Sequence, residues 1–237
     1  MIARLRLIHP SLAKRLTPGR LRGLKGRRIV QVERRGKHQL VHLDDGRTVA
    51  IHFRMNGDWD IGAVGDDEPR FTRAQLELTD GTRVSLTDMR ALSTVELFDA
   101  GAGDPELGPE PSDPAFNADS LGVSLARRSG AIKPALLNQK MVAGIGNIYA
   151  AEALWAAKIS PKAKAASLSA HRRERLIAAI REVLSDAPAG RYWAKRDGAR
   201  WNVYDREGEA CPRCGATIRR IVQAGRSTFY CPVDQKS

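Results

Sequence analysis

Three cysteines, all within the last 27 residues, constrain this chain more than any other feature. In CPRCGATIRRIVQAGRSTFYCPVDQ the spacing runs Cys211-x2-Cys214, then sixteen residues, then Cys231-x2-Asp234. Two such pairs, each on a tight knuckle, can converge on a tetrahedral zinc ion and let a module of ~30 residues fold without a large core. An odd number of thiols gathered at one end argues for metal and against a disulfide framework. The fourth ligand is the anomaly. A carboxylate binds zinc, so Asp234 can complete the site; water, or a weaker and partly empty site, are the alternatives, because closed structural sites normally carry Cys or His there. Between the two pairs, IRRI and GRSTFY read as a basic hairpin with Arg226 at its tip, within reach of a phosphate.

The charge points the same way. A formal net charge of +12 over 237 residues, with a sequence pI near 10.1, favours a polyanionic partner, nucleic acid first. Residues 1–40 hold twelve Lys or Arg against one acid, Glu33, whereas residues 91–120 hold seven acids and no base. No run reaches the ~18 apolar residues of a membrane helix, and MIARLRLIHP lacks the apolar stretch of a signal peptide. A cytoplasmic, nucleoid-associated protein that touches no membrane is the expectation.

Along the chain, RIVQVERR, HQLVHL and RTVAIHFR alternate as strands, with Asp44-Asp45-Gly46 as a turn, and AQLEL and TRVSLTD form a second hairpin around Asp80-Gly81. The first hundred residues predict an antiparallel sheet domain in two layers. Gly101–Asn117, with four of the twelve prolines and an acidic excess, predicts an exposed linker. Helical patterns follow at Leu121–Arg128, Pro134–Lys140, after Asn147, and at Leu168–Ser185, where Leu176, Ile177, Ile180, Val183 and Leu184 share one face. Arg191–Glu209 reads as a loop-like connection carrying Trp193 and Trp201.

NQKMVAGIGNIYAAEALWAAKISP, Asn138–Pro161, sets a glycine-hinged turn before an apolar helix. Gly144 and Gly146 read as positions whose dihedrals exclude a Cβ, and Asn147 as an N-cap. A helix start of this kind presents unpaired N–H groups and a positive dipole end to an anion. Alone, the stretch fits a glycine loop entering a core helix equally well.

Taken together, AIKPALLNQKMVAGIGNIYAAEALW and the GRSTFYC hairpin resemble the formamidopyrimidine-DNA glycosylase and endonuclease VIII family of base-excision repair enzymes, over nearly the whole chain. The resemblance implies an α+β architecture: an N-terminal antiparallel β-sandwich (residues 1–110), a helix-two-turn-helix DNA-binding domain (111–205) and a C-terminal zinc-finger β-hairpin (206–237). It implies a monomer that binds zinc, engages double-stranded DNA bearing an oxidised base or an apurinic site, excises the base and cleaves the resulting site. Lys37, in RRGKHQL, matches the hairpin lysine at the lesion-flanking phosphate that takes part in elimination. Asn147 and Arg226 match the residues that hold phosphates around the extruded nucleotide. Arg226 therefore joins Lys37 in the catalytic group, and Arg128 and Lys133 belong to the DNA-binding face. Met55 and Arg90 match two of three side chains that fill the gap left by the flipped base, and Leu92 stands at the third position. Extruding a base costs a few kcal/mol of stacking and pairing, so such wedges are physically required.

One departure is plain. The family attacks the sugar through an N-terminal proline and uses the next residue, glutamate, as general acid; Ile2 and Ala3 stand there in this sequence. Lys37 also comes about twenty residues early, so Met1 reads as an internal position of a longer ancestral sequence. Three readings follow: a working glycosylase and apurinic-site lyase whose start lies upstream, a damaged-DNA-binding relative with impaired catalysis, and a zinc-ribbon module unrelated to repair.

Overall fold

In a computed structural model, the described residues (1–13, 16, 18–102, 105–186 and 201–236) divide into two compact units, Met1–Glu106 and Leu107–Ser237. Trp193 and most of the connection assigned to residues 191–209 lie outside the described residues.

The first unit contains two four-stranded antiparallel sheets. One has the order β1 (Ile2–Leu7), β6 (Thr72–Leu78), β7 (Thr82–Thr87), β5 (Asp58–Ala63); the other runs β2 (Ile29–Arg35), β3 (His38–Leu43), β4 (Thr48–His52), β8 (Thr94–Phe98). Alternation explains the shared core. Leu43, Val49, Ile51, Val95 and Leu97 from one sheet cluster with Ile2, Ala74 and Leu86 from the other. Each aliphatic side chain fully removed from water contributes about 1.5–3 kcal/mol. The short helices α1 (Pro10–Ala13) and α2 (Pro18–Arg22) accompany Leu12, Leu16 and Leu24 into this cluster.

The two hairpins read from sequence are present. β6 and β7 join at Asp80-Gly81, where Gly81 takes a φ of 87° and Asp80 accepts the N–H of Thr82. Strands β1, β5 and β8 were not read from the sequence. β1 alternates Arg4 and Arg6 with Leu5 and Leu7 and β5 carries Asp58 and Asp60, so both are short, heavily charged segments whose pairing with β6 and β7 defines them as strands.

In the second unit α3 (Ala118–Ala126), α4 (Ile132–Leu136), α5 (Asn147–Ala156) and α6 (Ala170–Ser185) pack around Leu125, Ile132, Leu136, Leu154, Leu176 and Ile180. Asn117 caps α3 through a reciprocal box with Ser120, and Ser169 caps α6. The arginines of α6 act as fasteners: Arg173 donates to the carbonyls of Ala118 and Leu168, and Arg181 to those of Pro111 and Phe116. The exposed-linker reading of Gly101–Asn117 fails beyond residue 106. Phe116 is 1% exposed in the helical core, and a Cβ on Gly108 would lie 2.7 Å from the Lys140 carbonyl oxygen.

The chain closes with the hairpin β9 (Arg219–Gln223) and β10 (Arg226–Tyr230). Ala224 and Gly225 both have positive φ, 47° and 71°, the geometry of a two-residue turn matched to strand twist.

Candidate nucleic-acid interface and metal centre

In the sheet unit, Lys37 sits exposed in the two-residue turn between β2 and β3, after Gly36 with φ 60°. Two histidines back this turn. His38 and His52 face each other across β3 and β4, edge to face with ring centroids 4.7 Å apart, and His52 Nδ1 accepts the N–H of Arg54. Burial, then the charges of Arg54, His38 and Lys37, lower the His52 pKa to about 4, so the ring is neutral near pH 7.

Met55, Arg90 and Leu92 are brought together by a second device. Asp88, 1% exposed, accepts the N–H groups of Arg90 (3.0 Å), Leu92 (2.7 Å) and Ser93 (2.7 Å) and the hydroxyl of Ser93 (2.8 Å). Burial pushes its pKa up, but the hydrogen bonds from Ser93, Arg90 and Leu92 outweigh this and hold the carboxyl below its usual range. The same Ser93 hydroxyl contacts the carbonyl of Phe53, which ties this loop to the one carrying Met55. Gly57 closes the contact, since a Cβ there would lie 2.5 Å from Ser93 Oγ. Arg90 Nη1 donates to Met55 Sδ at 3.1 Å, while Met55 and Leu92 stay exposed. Asp88 and Ser93 escaped the sequence reading; an Asp at a strand end, two residues before a candidate wedge, was the available signal.

In the helical unit the structure corrects three expectations. Gly146, not Asn147, is the N-cap of α5, and Asn147 is the first helical residue. Gly144 has φ 84°, but Gly146 has φ −109°, which any residue adopts. Lys133 is not a surface cation. It is 1% exposed, and its Nζ donates to Asn147 Oδ1 (2.6 Å), the Ser227 carbonyl (3.0 Å) and Thr228 Oγ1 (2.7 Å). Burial, then the charge of Arg226, lower its pKa to about 8. Asn147 Nδ2 donates to the same Ser227 carbonyl at 3.0 Å. Lys133 thus spends its donors fixing Asn147 at the start of α5 and the β10 backbone directly after the exposed Arg226. Arg128 follows α3 and is half-buried, with an unsatisfied Nε.

The metal centre joins this assembly. The thiols of Cys211, Cys214 and Cys231 lie within 4.8 Å of one another and form no disulfide. Two N–H groups support them, Trp155 Nε1 to Cys211 Sγ and the Asp234 backbone to Cys231 Sγ, each at 3.4 Å. Three convergent soft donors backed by N–H···S bonds suit zinc. The Asp234 carboxylate is not among the clustered donor atoms; it pairs with Arg213, whose guanidinium stacks 3.9 Å above the Trp155 ring centroid. Glu152, also unread in the sequence, is 1% exposed on α5 and accepts from Asn202, Val203 and Tyr204. A single acid inside the apolar helix NIYAAEALWA was its signal, since a buried carboxylate requires donors.

Family models match three successive segments of the chain. Residues 1–95 match the family model described as the formamidopyrimidine-DNA glycosylase N-terminal domain, residues 107–192 the formamidopyrimidine-DNA glycosylase H2TH domain, and residues 208–236 the zinc finger found in FPG and IleRS. The formamidopyrimidine-DNA glycosylase of Novosphingobium aromaticivorans is 40% identical over 229 residues, covering 90% of this chain and 84% of the relative. That of Paracoccus denitrificans is 36% identical over 260 residues, covering 100% and 92%. MutM in complex with DNA containing carbocyclic 8-oxo-G superposes with a TM-score of 0.90 at 29% identity, and the Lactococcus lactis enzyme bound non-covalently to DNA with an AP site with 0.89 at 29%; both cover 100% of this chain and 92% of the solved one.

Proposed function

The chain belongs to the formamidopyrimidine-DNA glycosylase family, and from that premise we propose how its residues divide the work on damaged duplex DNA. The protein is a zinc-binding DNA glycosylase and apurinic-site lyase of base-excision repair, acting on duplexes in which an oxidised base is flipped from the stack. One observation carries the assignment of roles: buried Lys133 binds Asn147 and the β10 backbone at once, so Asn147 and Arg226 are presented together as a phosphate clamp at the start of α5. Gly146 supplies no side-chain oxygen to the first turn, which leaves those N–H groups to an anion.

Met55, Arg90 and Leu92 are the side chains that occupy the vacated stack, held in place by Asp88 and Ser93. Lys37 meets the lesion-flanking phosphate and shares the elimination step with Arg226. Arg128 adds charge to the DNA-facing side, and Lys133 acts through Asn147 as a positioning residue. Cys211, Cys214 and Cys231 hold the zinc, with Asp234 as the fourth ligand if its carboxylate leaves Arg213. Zinc here supplies folding energy to the hairpin and takes no part in bond cleavage. The protein works as a monomer in the cytoplasm, on the nucleoid.

Ile2, 2% exposed in β1, and Ala3 offer neither an amine nor a carboxylate to this chemistry. Borohydride trapping on a duplex with one apurinic site therefore tests the reaction directly. A covalent adduct is expected and requires an amine of this chain to attack C1′ and lose water as an imine, which borohydride then reduces; selective binding without an adduct would reduce the protein to a lesion-recognising relative.

A further inference from the structure

A second concentration of positive charge lies in the helical unit, beyond the opposite end of α5. Here an open depression of about 550 Å³, bordering the metal centre at Cys214 and Asp234, is lined by Lys158, Arg172, Arg175, Lys236 and Val233. The two guanidiniums are held by neutral partners: Arg172 Nη2 donates to the Lys236 carbonyl at 2.9 Å and Arg175 Nε to the Ala157 carbonyl at 2.7 Å. Such bonds orient the cations; the Ala157 carbonyl, at the C-cap of α5 and so at the negative end of its dipole, offsets part of the Arg175 charge and leaves Arg172, Lys158 and Lys236 as the main source of field. Asp234 is the acid of the lining, and Arg213 already pairs with it. Like charges collected in a concave surface focus a field that favours an anion.

Lys158 stands at the end of α5 beside this surface. It follows the C-cap Ala157 with φ 52°, while Lys158 and Ile159 close the helix by donating to the carbonyls of Trp155 and Leu154. Glycine is the residue that this left-handed position ordinarily favours. Five other described non-glycine residues also take positive φ, so what Lys158 brings to this surface is its charge.

We propose that this depression is a second phosphate-binding site, distinct from the Asn147–Arg226 clamp. The two sites stand at opposite ends of a ten-residue helix, about 15 Å apart along its axis. Paired guanidiniums suit two oxygens of one phosphate, and the lysines act as point charges beside them. The phosphate belongs either to the DNA backbone away from the lesion or to a free phosphate compound. Both sources present the same group to the depression.

The test uses the zinc-loaded full chain and inorganic pyrophosphate as the probe, followed by amide chemical shifts. Two double variants are compared, Arg172→Gln with Arg175→Gln, and Lys158→Gly with Lys236→Gln. The lysine pair decides the outcome if the arginine pair melts, because glycine accepts φ 52° and Lys236 bonds through its backbone. Saturable shifts at residues 158, 172, 175 and 214, with affinity at least tenfold weaker in the lysine pair, are expected. In parallel, the salt dependence of binding to an undamaged duplex is measured. A slope reduced by about 2 in the variant assigns the depression to the DNA backbone, and an unchanged slope with lost pyrophosphate binding assigns it to a free compound. Retention of both the pyrophosphate affinity and the slope in the lysine pair overturns the proposal, as does a wild type that shows no saturable shift.

Discussion

Asp88 and Lys133 are each 1% exposed, and each uses a buried charge to hold an element proposed above to meet DNA, yet they do so over different distances. The partners of Asp88 all lie within five residues of it, so the loop bearing Arg90 and Leu92 organises itself. The partners of Lys133 lie 14, 94 and 95 residues away, on α5 and β10. A locally satisfied charge makes a loop that tolerates change elsewhere. A charge satisfied across the fold makes a clamp that exists only while every contributing element is in place.

Zinc removal strains this contrast most. Structural zinc contributes on the order of 10 kcal/mol to small modules, so chelation should release β9 and β10 and with them two of the three Lys133 acceptors. Duplex binding, followed by fluorescence anisotropy, should collapse, while thermal unfolding of residues 1–106 stays where it was. A sheet unit that melts together with the finger would erase the distinction.

Lys133→Ala comes next. Its three partners are neutral, so the variant strands buried acceptors but no charge, at a cost of roughly 2–4 kcal/mol. Hydrogen exchange should accelerate at residues 226–230 as well as at the start of α5. Asp88→Ala should cost roughly 2–4 kcal/mol by orphaning three N–H groups and a hydroxyl. Its faster exchange should remain within residues 88–93 and the neighbouring Phe53–Gly57 turn. If the Asp88 variant disturbed the rest of the sheet unit equally, the loop would not be self-contained.

The smallest effect is a pH dependence in the sheet unit. His52 is held neutral with a folded pKa of about 4 against 6.5 unfolded, so the unfolded chain binds more protons between those values. Stability contributed by the neutral ring is complete above pH 6.5 and lost as pH falls towards 4, by up to roughly 3 kcal/mol. Denaturant unfolding across that window should show the slope in wild type and a smaller one in His52→Phe, the remainder coming from His38, whose pKa burial and then the charge of Arg54 also lower. Asp88, whose carboxyl is held below its usual range, adds its own loss only at lower pH.

The same contrast governs what the sequence disclosed. Local signals were legible: the turns at Asp80-Gly81 and around Gly46, the amphipathic face of α6, and the cysteine knuckles. The burial of Lys133 was not legible because AIKP says nothing about β10, more than ninety residues away, and a lysine reads as surface until a distant hairpin covers it. Strands β1 and β5 were missed for the same reason, their charged residues being tolerated only through pairing with β6 and β7. Asn147 was identified as a functional residue but given the wrong local job. Its side chain serves Lys133 and Ser227, and glycine takes the cap.

Helix α5 carries Asn147 at its first residue, Glu152 in its middle and Trp155 near its end, so one rigid segment sets the proposed phosphate clamp, the chain at Asn202–Tyr204 and the metal centre. A rod of this kind fixes phase as well as spacing. Inserting a single residue after Tyr149 would rotate everything beyond it by about 100° relative to Asn147 and advance it by about 1.5 Å. Glu152 and Trp155 would then turn away from their partners together. Insertion or deletion inside α5 should accordingly be far less tolerated over evolutionary time than length variation between Gly101 and Glu106, where the two compact units meet in sequence.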